Sequence, residues 1–473
     1  MRIGLLDQTT RGWSAGATFT RMMLACLELA KDNSEKNSDI EVIFLSRSRA
    51  NTPTTAVKSV FIGEQPNRAE WLEGTKDLRL DVIIPVRDYT VYDVESAFVG
   101  WIPDFQHFRL PELFDPSEIE FRNKFFSAIA EKSNVILVSS ESARLDFEQF
   151  FPDHAEKAQV AHFPSLLWTI DHKDDSATLR RFQLPEKFAL VANQFWRHKN
   201  HRILPAALSL LKRRGLEIDL VVTGLPADYR DPENKPLSEF FQQCAEQGTV
   251  ASIHFLGQVP YSDLIAIMRA AALIIQPSFF EGWSTSIEDS KALGRPLICS
   301  DIPVHREQVP DALGFFDPEK PEMLADVLAA IYEDLPPGPD VQREAAALEL
   351  ARKRAFTYGC ELFEMTKEAL LKKLDFLLRE ANALSEEKSK YIQALEEKYA
   401  RLDREAKEKE GALEENIKNV QALGSDVLRL RRFNHNLRRQ SFREFLSRNL
   451  RTRWRLFRMR STLLRTKPGN RHR

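Results

Sequence analysis

A short apolar run followed by a helical pattern recurs along residues 1–335 in two series, and no other feature restricts the fold as much. In the first series the strand-like runs are Met1–Asp7, Ile40–Ser46, Lys58–Gly63, Asp81–Pro85, Ala97–Ile102 and Asn134–Ser139. In the second they are Phe188–Asn193, Glu217–Thr223, Ser252–Gly257, Leu273–Pro277 and Pro296–Ser300. Runs this apolar, alternating with helices, predict parallel sheets covered by helices on both faces. A polar connector around His172-Lys-Asp-Asp-Ser176 separates the series. The expected fold is therefore α/β: two Rossmann-like domains, 1–165 and 187–335, joined by a linker at 166–186 and facing each other across a cleft.

Composition narrows the chemistry. The four cysteines, Cys26, Cys244, Cys299 and Cys360, lie far apart, which argues against a zinc site or a disulfide framework and fits a reducing compartment. Met1–Asp7 is too short and too soon acidic to read as a signal peptide. No apolar run reaches the ~18 residues of a membrane span. The net charge of −2 conceals an asymmetry: residues 427–473 carry sixteen Lys/Arg against one acid, Glu444, so this end is at +15 and the rest at −17.

The stretch from Ala271 to Asp301 concentrates the candidate chemistry. An apolar run ends in Gln-Pro-Ser-Phe-Phe280, followed by Glu281-Gly-Trp-Ser-Thr-Ser-Ile-Glu-Asp-Ser290 and a second apolar run after Gly294. Thr285 and Glu288 predict a capping box, and Gly294 with Pro296 predicts the helix stop. The free N–H groups of such a helix start suit an anionic or hydroxyl-rich ligand. On local spacing alone, an ordinary βαβ turn in which Glu and Ser serve only as caps fits equally well.

Two other loops carry polar groups at expected strand ends. Asn193-Gln-Phe-Trp-Arg-His-Lys-Asn-His201 brings Arg197, His198 and Lys199 to a helix start, suited to a diphosphate or equally to solvent. Gly100-Trp-Ile-Pro-Asp-Phe-Gln-His107 ends a strand and places Asp104, Gln106 and His107 among aromatics. His107 could equally be satisfied by a neighbour. Arg122 and Ser139-Ser-Glu-Ser142 are further candidates for the same crevice.

Taken together, Ile253-His-Phe-Leu-Gly-Gln-Val-Pro260, Pro277-Ser-Phe-Phe-Glu-Gly-Trp-Ser284 and Ser300-Asp-Ile-Pro303 resemble the retaining nucleotide-sugar glycosyltransferases of family 4 (group 1), which have the GT-B fold. The resemblance covers roughly residues 1–365. It implies transfer of a sugar from a nucleotide-diphosphate sugar to a glycan or lipid-linked acceptor, with no metal and no other cofactor. It places Glu281 beside the donor sugar as one catalytic residue and His107, from the first domain, as the other. Lys199 matches the diphosphate lysine. The partner arginine is replaced by Gln194, with Arg197 as the candidate substitute. Gly282, Trp283 and Ser284 complete the diphosphate set. The family's second Glu falls at Asp289, so Asp289, with Glu288 beside it, is the ribose candidate; the capping box would consume Glu288. Gly16 occupies the glycine loop of the first domain. A nucleotide-sugar epimerase or hydrolase, or a coiled-coil scaffold of weak activity, is the rival expectation.

Beyond the second series, residues 336–366 match the family's crossing terminal helix. Leu374, Leu377, Ala381, Leu384, Lys388, Tyr391, Leu395 and Leu402 then follow heptad spacing, resuming at Leu413, Ile417 and Val420. Residues 367–425 are thus expected to form a coiled coil and a homo-oligomer. In the tail, 426–473, Phe442, Leu446, Leu450, Trp454 and Phe457 make one stripe among arginines. Such a cationic amphipathic helix suits an anionic membrane surface over nucleic acid. The expected location is cytoplasmic, peripheral on the inner face of the cell membrane, with cell-surface polysaccharide synthesis as the process.

Overall fold

The computed structural model describes residues 1–8, 14–47, 57–64, 67–87, 96–169, 175–228, 230–231, 233, 235–408, 418–429 and 431–432. The first series builds a seven-stranded sheet from β1 (Arg2–Leu6), β2 (Glu41–Ser46), β3 (Lys58–Phe61), β4 (Val82–Val86), β5 (Ala97–Trp101), β6 (Val135–Val138) and β7 (Ala158–Val160). Its order is β3-β2-β1-β4-β5-β6-β7. The second builds a six-stranded sheet from β8 (Ala189–Ala192), β9 (Leu220–Thr223), β10 (Ile253–Gly257), β11 (Leu273–Gln276), β12 (Leu297–Ser300) and β13 (Gly314–Phe316), ordered β10-β9-β8-β11-β12-β13.

Every neighbouring pair in both sheets is parallel. Both faces of the central strands are therefore covered. β4, β5, β8 and β11 are buried at every residue, as their unbroken apolar runs require. Strand order reverses between β1 and β4 in one sheet and between β8 and β11 in the other. Crevices open at such reversals, at the carboxyl ends of the strands. The expected two Rossmann-like sheets are present, each with one further edge strand. β7 and β13 have three residues each, too few to show periodicity.

One compact unit comprises Arg2–Leu370 and so includes both sheets. The first part of the long helix Val341–Glu408, as far as Leu370, belongs to it. Arg269 anchors its start, donating to Glu344 through Nε at 2.7 Å and through the terminal nitrogen at 3.0 Å. Further along, a Cβ at Gly359 would stand 2.0 Å from the Cys26 carbonyl oxygen. The helix therefore lies backbone to backbone on Ser14–Asp32 of the first half, with Tyr358, Leu362 and Phe363 buried around the contact. Lys367 Nζ donates to Asn37 Oδ1 at 3.2 Å.

The second unit begins at Leu371. Within it, Arg431 pairs with Glu396, and a Cβ at Gly424 would stand 3.1 Å from the Tyr399 ring. Helical residues 418–429 thus fold back beside the long helix in the same chain. Leu384 and Tyr391, from the expected heptad stripe, remain more than half exposed. Leu413, Ile417 and the stripe from Phe442 to Phe457 lie outside the described residues. Among the described residues, no helix is long and apolar enough to cross a membrane.

Candidate active site

The loops after β8 and β11, adjacent strands at the second sheet's reversal, are laced together. The turn Arg197–Lys199 ends at Asn200 in the left-handed region (φ 57°), which suits the short side chain of Asn. Asn200 Nδ2 then donates to the carbonyls of Pro277 (3.1 Å) and Pro318 (2.7 Å). The Phe279 N–H donates to the His198 carbonyl at 2.7 Å. This lacing brings Lys199 and Glu281 together: Nζ lies 2.7 Å and 2.8 Å from the two carboxylate oxygens. Both side chains are largely withdrawn from water, at 15% and 7% exposure.

Glu281 is further fixed by Ser278 Oγ (2.6 Å) and Gln276 Nε2 (2.9 Å), both donating to Oε1. Gln276 in turn pairs with Asn193, at 3.2 Å and 3.3 Å. Burial pushes the Glu281 carboxyl upward, but Lys199, His305 and the Ser278 hydroxyl outweigh it and leave its pKa below the usual range. His305 lies behind this pair, its Nδ1 3.0 Å from Ser300 Oγ and from the Ser300 carbonyl. Burial, only partly opposed by the Glu281 charge, lowers its pKa to about 4, so it is neutral at pH 7.

The helix Thr285–Ala292 starts next to this cluster, one position from where the expected capping box would put it. Ser284, not Thr285, is the N-cap, and its Oγ accepts from the Ile287 N–H at 3.4 Å. Gln308 locks that start, accepting from the Ser284 N–H (3.0 Å) and donating to the Ser284 carbonyl (2.8 Å). Ile287 therefore takes N3. Glu288 stands one residue too far along to cap, and instead accepts from Lys291 (2.7 Å) and Gln308 (3.1 Å). Asp289 is buried and accepts from Ser165 Oγ (2.6 Å) and Tyr261 OH (3.0 Å). Burial raises its pKa to about 6; the two hydroxyls oppose the rise and Glu288 adds to it.

Gly282 and Trp283 face the first half. A Cβ at Gly282 would stand 2.4 Å from the Pro103 carbonyl oxygen and 2.8 Å from Asp104 Cβ, so only glycine permits this approach. The Trp283 indole N–H donates to the Phe163 carbonyl (3.1 Å), and its ring stacks on His162 at 4.4 Å. Glu307, from the second half, accepts from His162 (2.6 Å) and from the Glu141 N–H (2.7 Å), the latter at the start of a first-half helix capped by Ser140. The turn at Ser139–Ser142 thus meets a side chain of the other half. Arg122 is held by Glu118 at 2.8 Å.

His107 sits four residues beyond Pro103, in the short helix Gln106–Arg109. Its Nε2 is 3.1 Å from Asn123 Oδ1, and Phe108, Phe114 and Phe126 surround the ring. Burial and the Arg122 charge lower its pKa to about 4 against the pull of Asp104 and Asn123, so it is a neutral imidazole at pH 7.

Arg197 meets the carboxylates of Asp231 (3.4 Å) and Glu239 (3.3 Å) and stays 40% exposed, while Lys199 is the cation on Glu281. One expected placement does not hold. Gly16 is not in a loop: the helix starts at Ser14, and the Gly16 carbonyl accepts from Thr20 Oγ1 at 2.9 Å within its first turns. Alanines on both sides of Gly16 favour helix rather than loop at this position.

Sequence reasoning missed Gln276, Ser278, His305, Tyr261 and Ser165. The polar Gln276 at the end of an otherwise apolar strand was the one readable signal, since a buried amide demands a partner. Among the described residues, no three His, Cys, Asp or Glu side chains converge as a metal site would require.

Comparison with known proteins bears on what this arrangement does. Residues 176–347 match the family described as Glycosyl transferases group 1. The chain is 25% identical over 301 residues to the O-antigen chain mannosyltransferase B of Escherichia coli, covering 62% of this chain and 74% of that protein. It is 25% identical over 256 residues to a D-inositol 3-phosphate glycosyltransferase of Corynebacterium urealyticum, covering 52% of this chain and 58% of that protein. Its fold matches Anabaena HepE, solved in complex with UDP, at TM-score 0.54 and 16% identity, over 77% of this chain and 99% of that one. A Rickettsia africae glycosyltransferase matches at TM-score 0.55 and 16% identity, over 78% and 98%.

Proposed function

We propose that the chain is a group 1 glycosyltransferase, as the match of residues 176–347 supports, and that it transfers a hexose with retention of configuration from a nucleotide-diphosphate sugar to a glycan or lipid-linked acceptor. The observation that carries this reading is the buried Lys199–Glu281 pair at the strand-order reversal of the second sheet. Charge accumulates on the departing diphosphate in such a transfer. Preorganised donors that meet that charge are worth most in a site shielded from water. Lys199 and the N–H groups at the Ser284 helix start are those donors here.

Glu281 has a second task in this scheme. It orients Lys199 and, held ionised by its neighbours, stands ready to stabilise positive charge developing on the sugar. His107, neutral and buried, serves as a hydrogen-bonding partner rather than a cation on the first-half side. Asp289 takes the ribose: each of its oxygens, already accepting one hydroxyl, retains a lone pair for another. No divalent metal is required in this reading, because fixed cationic and backbone groups neutralise the diphosphate.

The O-antigen relative supports cell-surface polysaccharide as the process. The tail at 427–473 supports recruitment to an anionic membrane surface, and the exposed Leu384 and Tyr391 support a homo-oligomer through 367–425.

The test is release of nucleoside diphosphate from a panel including UDP-glucose and GDP-mannose, with EDTA present, by the wild type and by Glu281→Ala and Lys199→Ala. Turnover that survives EDTA and is lost in both variants supports the proposal; equal turnover by all three sinks it. The anomeric configuration of the product, read by NMR, decides retention. Flotation with anionic against neutral liposomes decides the membrane assignment, and equal flotation would count against it.

A further inference from the structure

Arg230 lies outside every motif discussed above, yet it touches both halves of the Arg2–Leu370 unit. Its side chain is 7% exposed, and that of its partner Asp228 is 3% exposed. Asp228 accepts from it twice, from Nε at 3.0 Å and from a terminal nitrogen at 3.0 Å. This fork accounts for the charge, and what remains of the guanidinium reaches across. One terminal nitrogen donates to Gln106 Oε1 at 3.1 Å, and the other lies 3.4 Å from His198 Nδ1. One face covers the Phe114 ring at 5.1 Å and another contact covers Trp196 at 5.2 Å. Phe114 and Gln106 belong to the first half; Trp196 and His198 belong to the second.

The two ends of this bridge matter. Gln106 immediately precedes His107 in the helix Gln106–Arg109, and His198 immediately precedes Lys199. A planar guanidinium with its donors engaged and two aromatic rings within about 5 Å of it fixes distance and orientation together, which a flexible ammonium does not. We propose that Arg230 is a positioning residue: it clasps the His107-bearing helix to the Lys199 loop and so sets the distance across which the sugar is transferred. Its catalytic consequence rests on the glycosyltransfer reading above; the clasp itself does not. With Asp228 already neutralising it, Arg230 acts on geometry rather than as a cation on the donor.

The experiment compares full-length wild type, Arg230→Ala, Arg230→Lys, Gln106→Ala and the Arg230→Ala/Gln106→Ala double variant. Three readouts are used: thermal unfolding, titration with UDP and GDP, and nucleoside diphosphate release from UDP-glucose and GDP-mannose. Misplacement of a reacting group by about 1 Å can cost 10²-fold in rate, so Arg230→Ala is expected to lower kcat by about 10- to 100-fold while nucleotide affinity holds. Gln106→Ala lowers kcat less, the double variant is no worse than Arg230→Ala alone, and Arg230→Lys does not rescue. A parallel loss of nucleotide affinity would make Arg230 a donor ligand and overturn the proposal, as would rescue by lysine. If the wild type turns over no donor, the glycosyltransfer reading fails. The unfolding cycle then still decides the clasp, because residues in contact couple and independent ones add: additive shifts in Tm overturn it.

Discussion

Replacing Lys199 by Met leaves a carboxylate in a buried site without its cation. The pair is 15% and 7% exposed, so solvent does little to screen the loss. Breaking such a buried pair by removing one partner costs about 3–5 kcal/mol. Spread over the Arg2–Leu370 unit at about 2.1 cal/mol/K per residue, each kcal/mol lowers Tm by about 1.3 °C, so Tm should drop by roughly 4–7 °C. The pH dependence carries the diagnostic. In the wild type the folded-state pKa of Glu281 lies below its ordinary value. It therefore contributes stability that is present above the unfolded pKa of about 4.3 and is lost as pH falls through the folded value. In the variant, burial acts without Lys199 and raises the folded pKa, so the deficit is full at pH 8 and narrows as acid protonates Glu281. Lys199→Met/Glu281→Gln removes both charges and should regain most of the loss. Thermal unfolding of the three proteins at pH 5 and pH 8 tests this. A deficit under about 1 kcal/mol, or one equal at both pH values, would refute the picture of a buried ion pair.

Three further outcomes follow from single contacts. Ser284→Ala should cost about 1 kcal/mol and Thr285→Val much less, because Ser284 is the cap; the reverse order in denaturant unfolding would restore the capping box. Asp289 titrates near pH 6, above its unfolded value, so its ionisation opposes folding once pH rises through that range. Asp289→Asn should therefore gain Tm relative to wild type on going from pH 5 to pH 8, and a flat difference would contradict the raised pKa. Gly282→Ala forces a methyl onto the Pro103 carbonyl, and overpacking of this kind costs about 1–3 kcal/mol; the variant should lose donor turnover as well as stability, read by nucleoside diphosphate release and thermal unfolding.

The parts of the fold that could be read in advance are those in which each residue obeys its own local rule. Strands buried on both faces appear as unbroken apolar runs, so β4, β5, β8 and β11 were visible, and the loops at strand ends singled out Lys199 and Glu281, though not that they pair. What escaped depended on partners remote in sequence. Whether Ser284 or Thr285 caps depends on Gln308, 24 residues away from Ser284, which grips one and not the other. Arg197 looked available because Asp231 and Glu239 compete for it only once folded. Arg230 carries no motif at all; its meaning comes from Gln106, 124 positions earlier.

The contact of the final helix with the first sets an order of events in the making of the chain. Cys26 and Ala30 present their side of the first helix to Gly359, and Asn37 meets Lys367, 330 residues later. At about 5–20 residues per second, a ribosome takes roughly 15–70 s to cover that interval. For the later part of it, from the end of β7 at Val160 to Lys367 and so roughly 10–40 s at the same rate, the first half has its strands but lacks the helix that covers this side. An apolar face left open for that long is a natural target for a chaperone, and the first half reaches its finished packing only after the second has been made.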